Sequence, residues 1–310
     1  MTIAMAEERP SPPVRSSAEA SAYDDGLSAF AEARPRLFGI AYRMLGSAAE
    51  AEDIVQDVWL RWQATDRSVV ESPSAFLATT TTRMCINFAQ SARARRESYV
   101  GPWLPEPVDT SSDPSLGAER SEALGFAILL LLEKLSPTER AAYVLREAFD
   151  YSYRQIADIL QMEEANARQL VSRARKHIVE GRRTPASSAE RQRLLTVFIA
   201  AAQKGDLATL EGLFAEDVVS YSDGGGVVRT AARAPVSGRQ RVAKFIASFA
   251  SHFWTGITLT QIEANGQASI LISRDGVPVA FATIDASEKG IDQIMWILRP
   301  SKLAAIPASK

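Results

Sequence analysis

The sequence contains little of what disulfide-linked, metal-binding and membrane proteins use: one cysteine, two histidines and no long apolar run in 310 residues. The single cysteine, Cys85, excludes internal disulfides and indicates a reducing compartment, where such a residue most often packs in a core. His177 and His252 cannot form a metal cluster with one cysteine, so we expect no metal and no cofactor. No apolar run approaches the 18 residues of a membrane span. The sequence therefore predicts a cytoplasmic protein.

The charge is small in total but segregated along the chain. The net charge is −2, yet residues 47–57 carry four carboxylates and no base, and residues 83–96 carry four arginines and no acid. Separate acidic and basic segments suggest a separate partner for each. A length of 310 residues favours two or three domains over one.

Residues 153–178 carry two short apolar stripes at helical spacing. The first stripe begins at Tyr153 and ends at Leu160, and the second runs from Ala167 to Ile178 with a basic opposite face. This pattern predicts a helix-turn-helix whose second helix can enter a major groove. An ordinary helical hairpin with a solvated basic face is the alternative.

Residues 25–98 are predicted to form a helical unit after a disordered leader at residues 1–24. Pro35 suits the first turn of one helix, and Ser47 with Glu50 can form a capping box at the start of the next. A third helix begins after Pro73 and ends in an arginine cluster. An acidic helix beside a basic one fits a salt-bridged bundle and fits a nucleic-acid surface equally well.

Prolines and glycines mark residues 99–117 as a linker between two helical units. A flexible spacer is one interpretation. Trp103 and Leu104 are too costly to leave in water for a mere spacer, so we favour an ordered contact. Glu106 and Asp109 make the segment acidic.

The C-terminal part, residues 188–303, is predicted to be an α+β cone. Helices are followed by four strands at residues 257–264, 267–273, 277–285 and 291–298. The pairs Asn265-Gly266, Asp275-Gly276 and Lys289-Gly290 between them are hairpin signals. Helices followed by an antiparallel meander indicate the SnoaL-like or nuclear-transport-factor-2-like architecture.

Such cones often enclose a pocket, and a catalytic base is conceivable at Asp217, Asp223, Asp285 or His252. None has a partner visible in the sequence, so we predict no catalytic residue. Three adjacent glycines at residues 224–226 suit a tight loop that another backbone approaches closely. We therefore interpret residues 223–226 as an interdomain contact.

Two long segments and three short motifs carry a resemblance. The long segments are AYRMLGSAAEAEDIVQDVWLRW and SPTERAAYVLREAFDYSYRQIADILQMEEANARQLVSRARKHI, within residues 27–180. They resemble regions 2 and 4 of bacterial extracytoplasmic-function (ECF) sigma factors. The motifs WLPEP, DGGG and RPSKL resemble those of the SigJ-type subgroup, which carries a SnoaL-like C-terminal extension. That subgroup usually ends in NPDKL, from which Arg299 and Ser301 depart.

The resemblance implies a multidomain fold of two all-α sigma domains and a C-terminal α+β cone. The implied boundaries are region 2 at 25–98, a linker at 99–117, region 4 at 118–182, the SnoaL-like domain at 188–303 and a tail at 304–310. It implies binding to core RNA polymerase and promoter DNA, with −10 recognition by region 2 and −35 recognition by region 4. The C-terminal domain would regulate this in cis and leaves room for an unidentified small ligand. The alternative function is a DNA-binding regulator fused to a small-molecule isomerase or cyclase.

The resemblance also implies roles for individual residues. The polymerase-binding residues would be Asp53, Ile54, Gln56, Asp57, Trp59 and Leu60. The −10 element would be contacted by Arg83, Asn87, Gln90, Arg93, Arg95 and Arg96. The −35 element would be contacted by Asn166, Arg168, Gln169, Arg173, Arg175 and Lys176. The interdomain residues would be Trp103, Leu104, Pro105, Glu106, Pro107, Asp223, Gly224, Gly225, Gly226, Arg299, Pro300, Lys302 and Leu303.

Overall fold

The computed structural model describes residues 17–97, 99–110, 125–180, 183–304 and 306, with the backbone alone for residues 17–25 and 92–97. The helices, numbered in chain order, are α1 Ser17–Leu45, α2 Ala48–Ala64, α3 Pro73–Glu97, α4 Phe126–Leu132, α5 Pro137–Phe149, α6 Tyr153–Leu160, α7 Glu164–Glu180, α8 Ser188–Lys204, α9 Leu207–Leu213, α10 Arg239–Ala247 and α11 Pro300–Leu303. The strands are β1 Phe214–Asp223, β2 Val236–Ser237, β3 Ile257–Ala264, β4 Gln267–Arg274, β5 Val277–Ser287 and β6 Gly290–Ile297.

The first helix is longer than the sequence predicts. The expected start at Pro35 is wrong, because α1 already begins at Ser17 and runs through the proline. Proline removes one N–H from the helix ladder, but Leu37, Ile40 and Met44 in the following turns are fully buried and hold the helix together. Residues 17–24 of the predicted leader therefore form the beginning of α1, while residues 1–16 lie outside the described part.

Helices α1 to α3 form the first helical unit. The hydroxyl of Ser47 caps α2 by accepting a hydrogen bond from the backbone N–H of Glu50 at 3.2 Å. The buried ring of Trp62 packs against Phe76 of α3 with centroids 5.5 Å apart. The threonine run of α3 is tolerated because buried hydroxyls, such as that of Thr81, donate to carbonyls one turn back.

Helices α4 to α7 form the second helical unit and confirm the predicted helix-turn-helix. Ser152 and Gln155 form a capping box at the start of α6. Gln161 takes the left-handed conformation after α6, with φ of 55°, where glycine is the usual residue. Ala167, Val171 and Ala174 on the apolar stripe of α7 are fully buried.

The two helical units pack into one continuous hydrophobic core. Arg140 of α5 is 4% exposed. Its Nη1 donates to the backbone oxygen of Met44 at 2.5 Å and to Oε1 of Glu133 at 2.7 Å. Arg36 of α1 donates from Nη2 to the backbone oxygen of Phe149 at 2.9 Å. The cationic side chains thus satisfy the carbonyls at helix ends that face the junction.

The C-terminal domain contains a six-stranded sheet in the order β2-β1-β6-β5-β4-β3 and confirms the predicted α+β cone. Strands β3 to β6 form the predicted antiparallel meander. Asn265-Gly266 and Asp275-Gly276 have positive φ at both positions, as type I′ hairpins require. One face packs against α8 and α10, and the other covers a second cluster that includes Leu104, Phe126 and Leu303.

The linker is ordered where the structure describes it, at residues 99–110; residues 111–117 of the predicted linker lie outside the described part. Asp109 forms an isolated antiparallel bridge with Ala264 at the end of β3, and Leu104 is fully buried. The linker therefore packs on the C-terminal sheet. No helix within the described ranges is long and apolar enough to cross a membrane.

Candidate functional site

The acidic side of α2 is largely open to solvent. Asp53, Gln56 and Asp57 are exposed, and Leu60 is 55% exposed, which is unusual for a leucine. Such a mixed acidic and apolar surface suits a protein partner.

Two of the predicted polymerase-binding residues of α2, Ile54 and Trp59, are buried or half-buried and are not part of this open surface. Ile54 is 4% exposed and belongs to the core of the first unit. Trp59 is half-buried, with its ring 4.8 Å from that of Phe30. Ile54 therefore packs in the core beneath the exposed side of α2 and is not accessible to a partner.

The basic helix α3 is tied to the second unit through Arg83. Its Nε donates to the backbone oxygen of Ile159 at 2.9 Å, and its Nη2 to that of Asp158 at 3.3 Å. Arg83 thus satisfies carbonyls at the C-terminal end of α6. Asn87 and Gln90 are exposed. The side chains of Arg93, Arg95 and Arg96 lie outside the described residues.

Helix α7 exposes a polar face. That face includes all six residues predicted to contact the −35 element: Asn166, Arg168, Gln169, Arg173, Arg175 and Lys176. Arg175 donates from Nε and Nη2 to Oε1 of Glu147 at 3.0 and 2.7 Å, and this hydrogen bonding raises the arginine pKa. Nε of Arg173 lies 3.5 Å from Oε1 of Glu139, and Nη2 of Arg168 lies 2.6 Å from Oε1 of Glu164. The arginine side chains of these pairs are themselves exposed, so the pairs contribute little to stability.

A buried carboxylate joins the C-terminal domain to the linker. Asp223, at the end of β1, is fully buried. Its Oδ1 accepts from the Tyr99 hydroxyl at 2.5 Å, and its Oδ2 accepts from the backbone N–H of Leu104 at 2.9 Å and from Nζ of Lys302 at 2.8 Å. We call Asp223, Lys302, Leu104 and Tyr99 the Asp223 cluster.

The cluster holds both polar groups of one linker residue. Leu104 donates its N–H to Asp223, and its carbonyl accepts from Nζ of Lys302. The Lys302 ammonium also lies 4.3 Å from the ring centroid of Trp103, within cation–π range. Burial, together with the bond to Asp223, raises the pKa of Tyr99 to about 12, so this hydroxyl remains a donor at neutral pH.

The three glycines after Asp223 are required by close approach. A Cβ on Gly224 would lie 2.4 Å from Cβ of Ala231 in the same loop, so this predicted interdomain residue packs within its own domain. A Cβ on Gly225 would lie 2.8 Å from Cδ of Arg299 and 2.9 Å from Oη of Tyr99. A Cβ on Gly226 would lie 3.0 Å from Cβ of Val100, and φ is positive at both glycines. Backbone therefore packs directly on the linker and on the segment that follows β6.

Glu106 connects the linker to the first helical unit. Its carboxylate accepts from the backbone N–H groups of Ala48 and Ala49 at 2.7 and 3.2 Å and so caps α2. Its backbone oxygen accepts from the Tyr42 hydroxyl at 2.6 Å, and Nδ2 of Asn265 donates to the same hydroxyl at 2.6 Å. Residues of α1, the linker and the β3–β4 hairpin thus meet in one buried network.

Several residues that form these contacts could not be predicted from the sequence. Tyr42 and Tyr99 carry no local signal for an interdomain role. The sequence indicates only a turn role for Asn265, and its φ of 55° fits that role too. Gly46 has φ of 67°, and a Cβ there would lie 2.7 Å from Cη2 of Trp103. Gly46, next to the predicted cap at Ser47, is the one sequence feature that could have indicated a close approach of another segment.

The four residues considered as catalytic bases are dispersed. Asp217 is exposed and paired with Arg183. His252 is exposed and hydrogen-bonds Ser251, Asp285 is half-buried, and Asp223 is enclosed by its cluster. Within the described ranges, no group of three or more histidine, cysteine or acidic residues could hold a metal ion.

Comparison with known proteins fits this arrangement. Residues 29–95 match the family model "Sigma-70 region 2", and residues 125–178 match "Sigma-70, region 4". The chain is 39% identical over 240 residues to the ECF RNA polymerase sigma factor SigJ of Mycobacterium tuberculosis, covering 74% of this chain and 75% of that protein. The chain is an ECF sigma factor. It is also 30% identical over 293 residues to the probable ECF sigma factor SigI of that organism, covering 93% of this chain and 98% of that protein.

A solved structure extends the likeness of this sigma factor beyond its two helical regions. The crystal structure of Mycobacterium tuberculosis SigJ superposes with a TM-score of 0.73 at 31% identity, covering 91% of this chain and 100% of that chain. In this sigma factor, α2 and α3 belong to region 2, and the helix-turn-helix of α6 and α7 belongs to region 4. The SigJ-type resemblance expected from the short motifs is confirmed.

Proposed function

We propose that this sigma factor binds core RNA polymerase and directs promoter-specific initiation, and that its C-terminal domain regulates this activity in cis. Core polymerase would dock on the exposed part of the α2 surface, formed by Asp53, Gln56, Asp57 and Leu60. Helix α3 would contact the −10 element and α7 the −35 element. The membership in the family and the exposure of these faces support the proposal.

The observation that carries the regulatory part is the capture of Leu104 between Asp223 and Lys302. The linker is the chain segment that separates region 2 from region 4. Residues 99–110 of this linker pack on the C-terminal sheet, and Phe126 of region 4 packs on the same sheet with its ring centroid 5.5 Å from that of Phe281. By holding the linker and region 4 together, the C-terminal domain would limit the distance between the two DNA-contacting regions.

The distance between the two promoter elements indicates whether the Asp223 cluster raises or lowers activity. The −10 and −35 elements lie, by their positions, roughly 25 base pairs apart, which is about 85 Å of duplex at 3.4 Å per step. Here α3 and the end of α6 lie within hydrogen-bond distance through Arg83. A chain in this closed arrangement, with both units in one core, cannot contact both elements at once. We therefore propose that the Asp223 cluster favours a closed state of low activity.

In vitro transcription with core polymerase over a promoter library tests the proposal. We expect promoter-dependent transcripts with the full chain, and more of them after Asp223→Ala or truncation before Arg299. Glu216→Ala is the matched control, because Glu216 is an exposed carboxylate on the same strand. Absence of promoter-dependent transcripts from every variant would contradict the sigma activity. Transcription at the parental rate, with the same promoter choice, from the two cluster variants would contradict the regulation alone.

A further inference from the structure

Helix α4 of region 4 lies on the same face of the C-terminal sheet as the linker, but its contact has a different chemistry. The ring centroid of Phe126 lies 5.5 Å from that of Phe281 on β5. The sequence of α4 is FAILLLL, so none of its side chains carries a polar group. Gly125, which precedes the helix, makes no side-chain hydrogen bond either. The side chains of α4 can therefore bury apolar surface but cannot pair with polar groups of the sheet.

Beneath α4 the sheet carries a buried hydroxyl. Thr283 is two residues after Phe281 on β5, so both side chains lie on the same face. Thr283 is 0% exposed, and its Oγ1 has no hydrogen-bond partner among the described residues. Asp285, two residues further on, lines a cavity together with Ala127 and Ile128 of α4. Because the residues on both sides of Thr283 on this face lie beside α4, Thr283 belongs to the contact between the helix and the sheet.

Two glutamine side chains extend this polar area. Gln267 on β4 lines the same cavity as Asp285, and Gln293 on β6 is the register partner of Asp285. The Oε1 atom of each glutamine is buried and has no hydrogen-bond partner in the part of the chain that the structure describes. We call Thr283, Gln267 and Gln293 the polar patch. Each buried oxygen without a partner lowers the stability of the closed arrangement, and this cost disappears when water reaches the oxygen.

The linker contacts the same sheet with paired polar groups. The N–H of Leu104 donates to Asp223, and its carbonyl accepts from Lys302. The N–H of Val108 donates to Oδ1 of Asn265 at 2.9 Å. A contact whose buried polar groups are satisfied opens at a higher free energy than one whose groups are unsatisfied. The polar chemistry therefore favours opening of the region 4 contact before that of the linker.

We propose that the polar patch keeps the contact between α4 and the sheet weak, so that region 4 leaves the sheet before the linker does. The patch thus favours the open state, whereas the Asp223 cluster favours the closed one. Removing a polar group from the patch should strengthen the contact and lower transcription, which is the opposite of the effect expected for Asp223→Ala. The effect on transcription rests on the proposed function, whereas the weakness of the contact does not.

A thiol on the covered face reports how often region 4 leaves the sheet. Ser269 on β4 is the register partner of Thr283 and is 0% exposed. We expect N-ethylmaleimide to label Ser269→Cys in the full chain more rapidly than the sheet unfolds, with mass spectrometry of peptides separating this thiol from Cys85. Thr283→Val, which removes the hydroxyl and keeps the shape, should slow this labelling about fivefold to tenfold. Thr258→Val makes the same change at an exposed position of β3 and is the matched control.

Hydrogen exchange at residues 291–297 of β6 measures unfolding of the sheet itself. Three results would each overturn the weak contact: labelling of the Ser269→Cys thiol only through unfolding of the sheet, equal labelling in Thr283→Val and Thr258→Val, or equal slowing of labelling and of exchange by Thr283→Val. Thr283→Val should also give several-fold fewer promoter-dependent transcripts than Thr258→Val. Slower labelling with unchanged transcription would overturn the bias toward an open, active state. If the full chain gives no promoter-dependent transcripts but the labelling results hold, the proposed function fails and the weak contact stands.

Discussion

Lys302 and Asp223 form an ion pair of 2.8 Å in which the lysine side chain is 4% exposed and the aspartate 0%. Both residues belong to the C-terminal domain, but the pair is completed by the N–H and carbonyl of Leu104 in the linker. A buried pair needs additional hydrogen bonds to offset its desolvation. The linker supplies these bonds, so its docking and the stability of the pair depend on each other.

Removing one member of this pair should be costly. We expect Lys302→Met to destabilise the C-terminal domain by about 3–5 kcal/mol, because the Asp223 carboxylate remains buried without its cation. The double variant Asp223→Leu with Lys302→Met should recover most of that loss, since no uncompensated charge remains. Urea unfolding measures both, with the exposed Lys244→Met as control. A single variant as stable as the control would contradict the energetic role of the pair.

Two glycines have nearly the same backbone conformation but different surroundings. Alanine variants at the two positions therefore distinguish the effect of conformational strain from the effect of a lost interdomain contact. Gly226 has φ of 76° and its Cβ would meet Val100 at 3.0 Å, whereas Gly276 has φ of 77° and no described atom within 4 Å of its Cβ. Alanine at either position costs about 1 kcal/mol of strain. We expect only Gly226→Ala to increase hydrogen exchange in the linker. Equal exchange in both variants would mean that the glycine loop does not hold the linker.

The junction between regions 2 and 4 can be weakened at Arg36. Its guanidinium donates to the backbone oxygen of Phe149 and lies 4.9 Å from the ring centroid of Tyr151. Arg36→Ala should cost about 1–3 kcal/mol of contact between the units and increase the radius of gyration in solution. Arg34→Ala is the control, because Arg34 makes only a half-exposed surface pair with Glu52. Identical scattering profiles for the two variants would refute this role of Arg36.

The α2 surface predicts a charge-dependent interaction with polymerase. Replacing Asp53 and Asp57 by arginine should abolish binding to core enzyme without unfolding the chain, since both side chains are exposed. Glu71→Arg reverses the charge of one exposed carboxylate outside α2 and should leave binding intact. A pull-down with core polymerase measures the effect. Unchanged affinity of the double variant would identify the acidic stripe as merely solvated.

Two arginines of α7 should differ in what they recognise. Arg173→Ala should cost about 1–3 kcal/mol at one −35 position, if this residue contacts guanine in bidentate geometry. Arg175→Ala should weaken all sequences alike and reduce the salt dependence of binding. Titrations of single-base promoter variants at two salt concentrations distinguish the roles. Equal, sequence-independent losses would contradict base recognition by Arg173.

Local signals in the sequence predicted most of the elements. Asn265-Gly266 and Asp275-Gly276 define their hairpins because few other residue pairs accept positive φ twice. The stripe of α7 defines the recognition helix because only one face can be buried. Pro35 wrongly indicates the start of a helix, because burial of the turns that follow it outweighs the lost hydrogen bond.

Long-range contacts could not be predicted in the same way. Asn265 and Tyr42 are 223 residues apart, and nothing near either residue indicates the other. The resemblance named Ile54 as polymerase-binding, but its helical spacing from Ala51 and Val58 fits the buried position that it takes. The resemblance pointed to the motifs that contain Asp223, Leu104 and Lys302, while their partner Tyr99 is defined only by the packing of the linker.

The distance between the two DNA-contacting regions tests the central claim most directly. Ser91 and Ser172 are exposed on α3 and α7, and cysteines there can carry a donor and an acceptor dye while the buried Cys85 stays unlabelled. We expect high energy transfer in the parental chain and in Glu216→Ala. Asp223→Ala should show a larger low-transfer population, and core polymerase with promoter DNA should convert all three proteins to low transfer. Identical distributions for Asp223→Ala and the parental chain would contradict control of the closed state by the C-terminal domain.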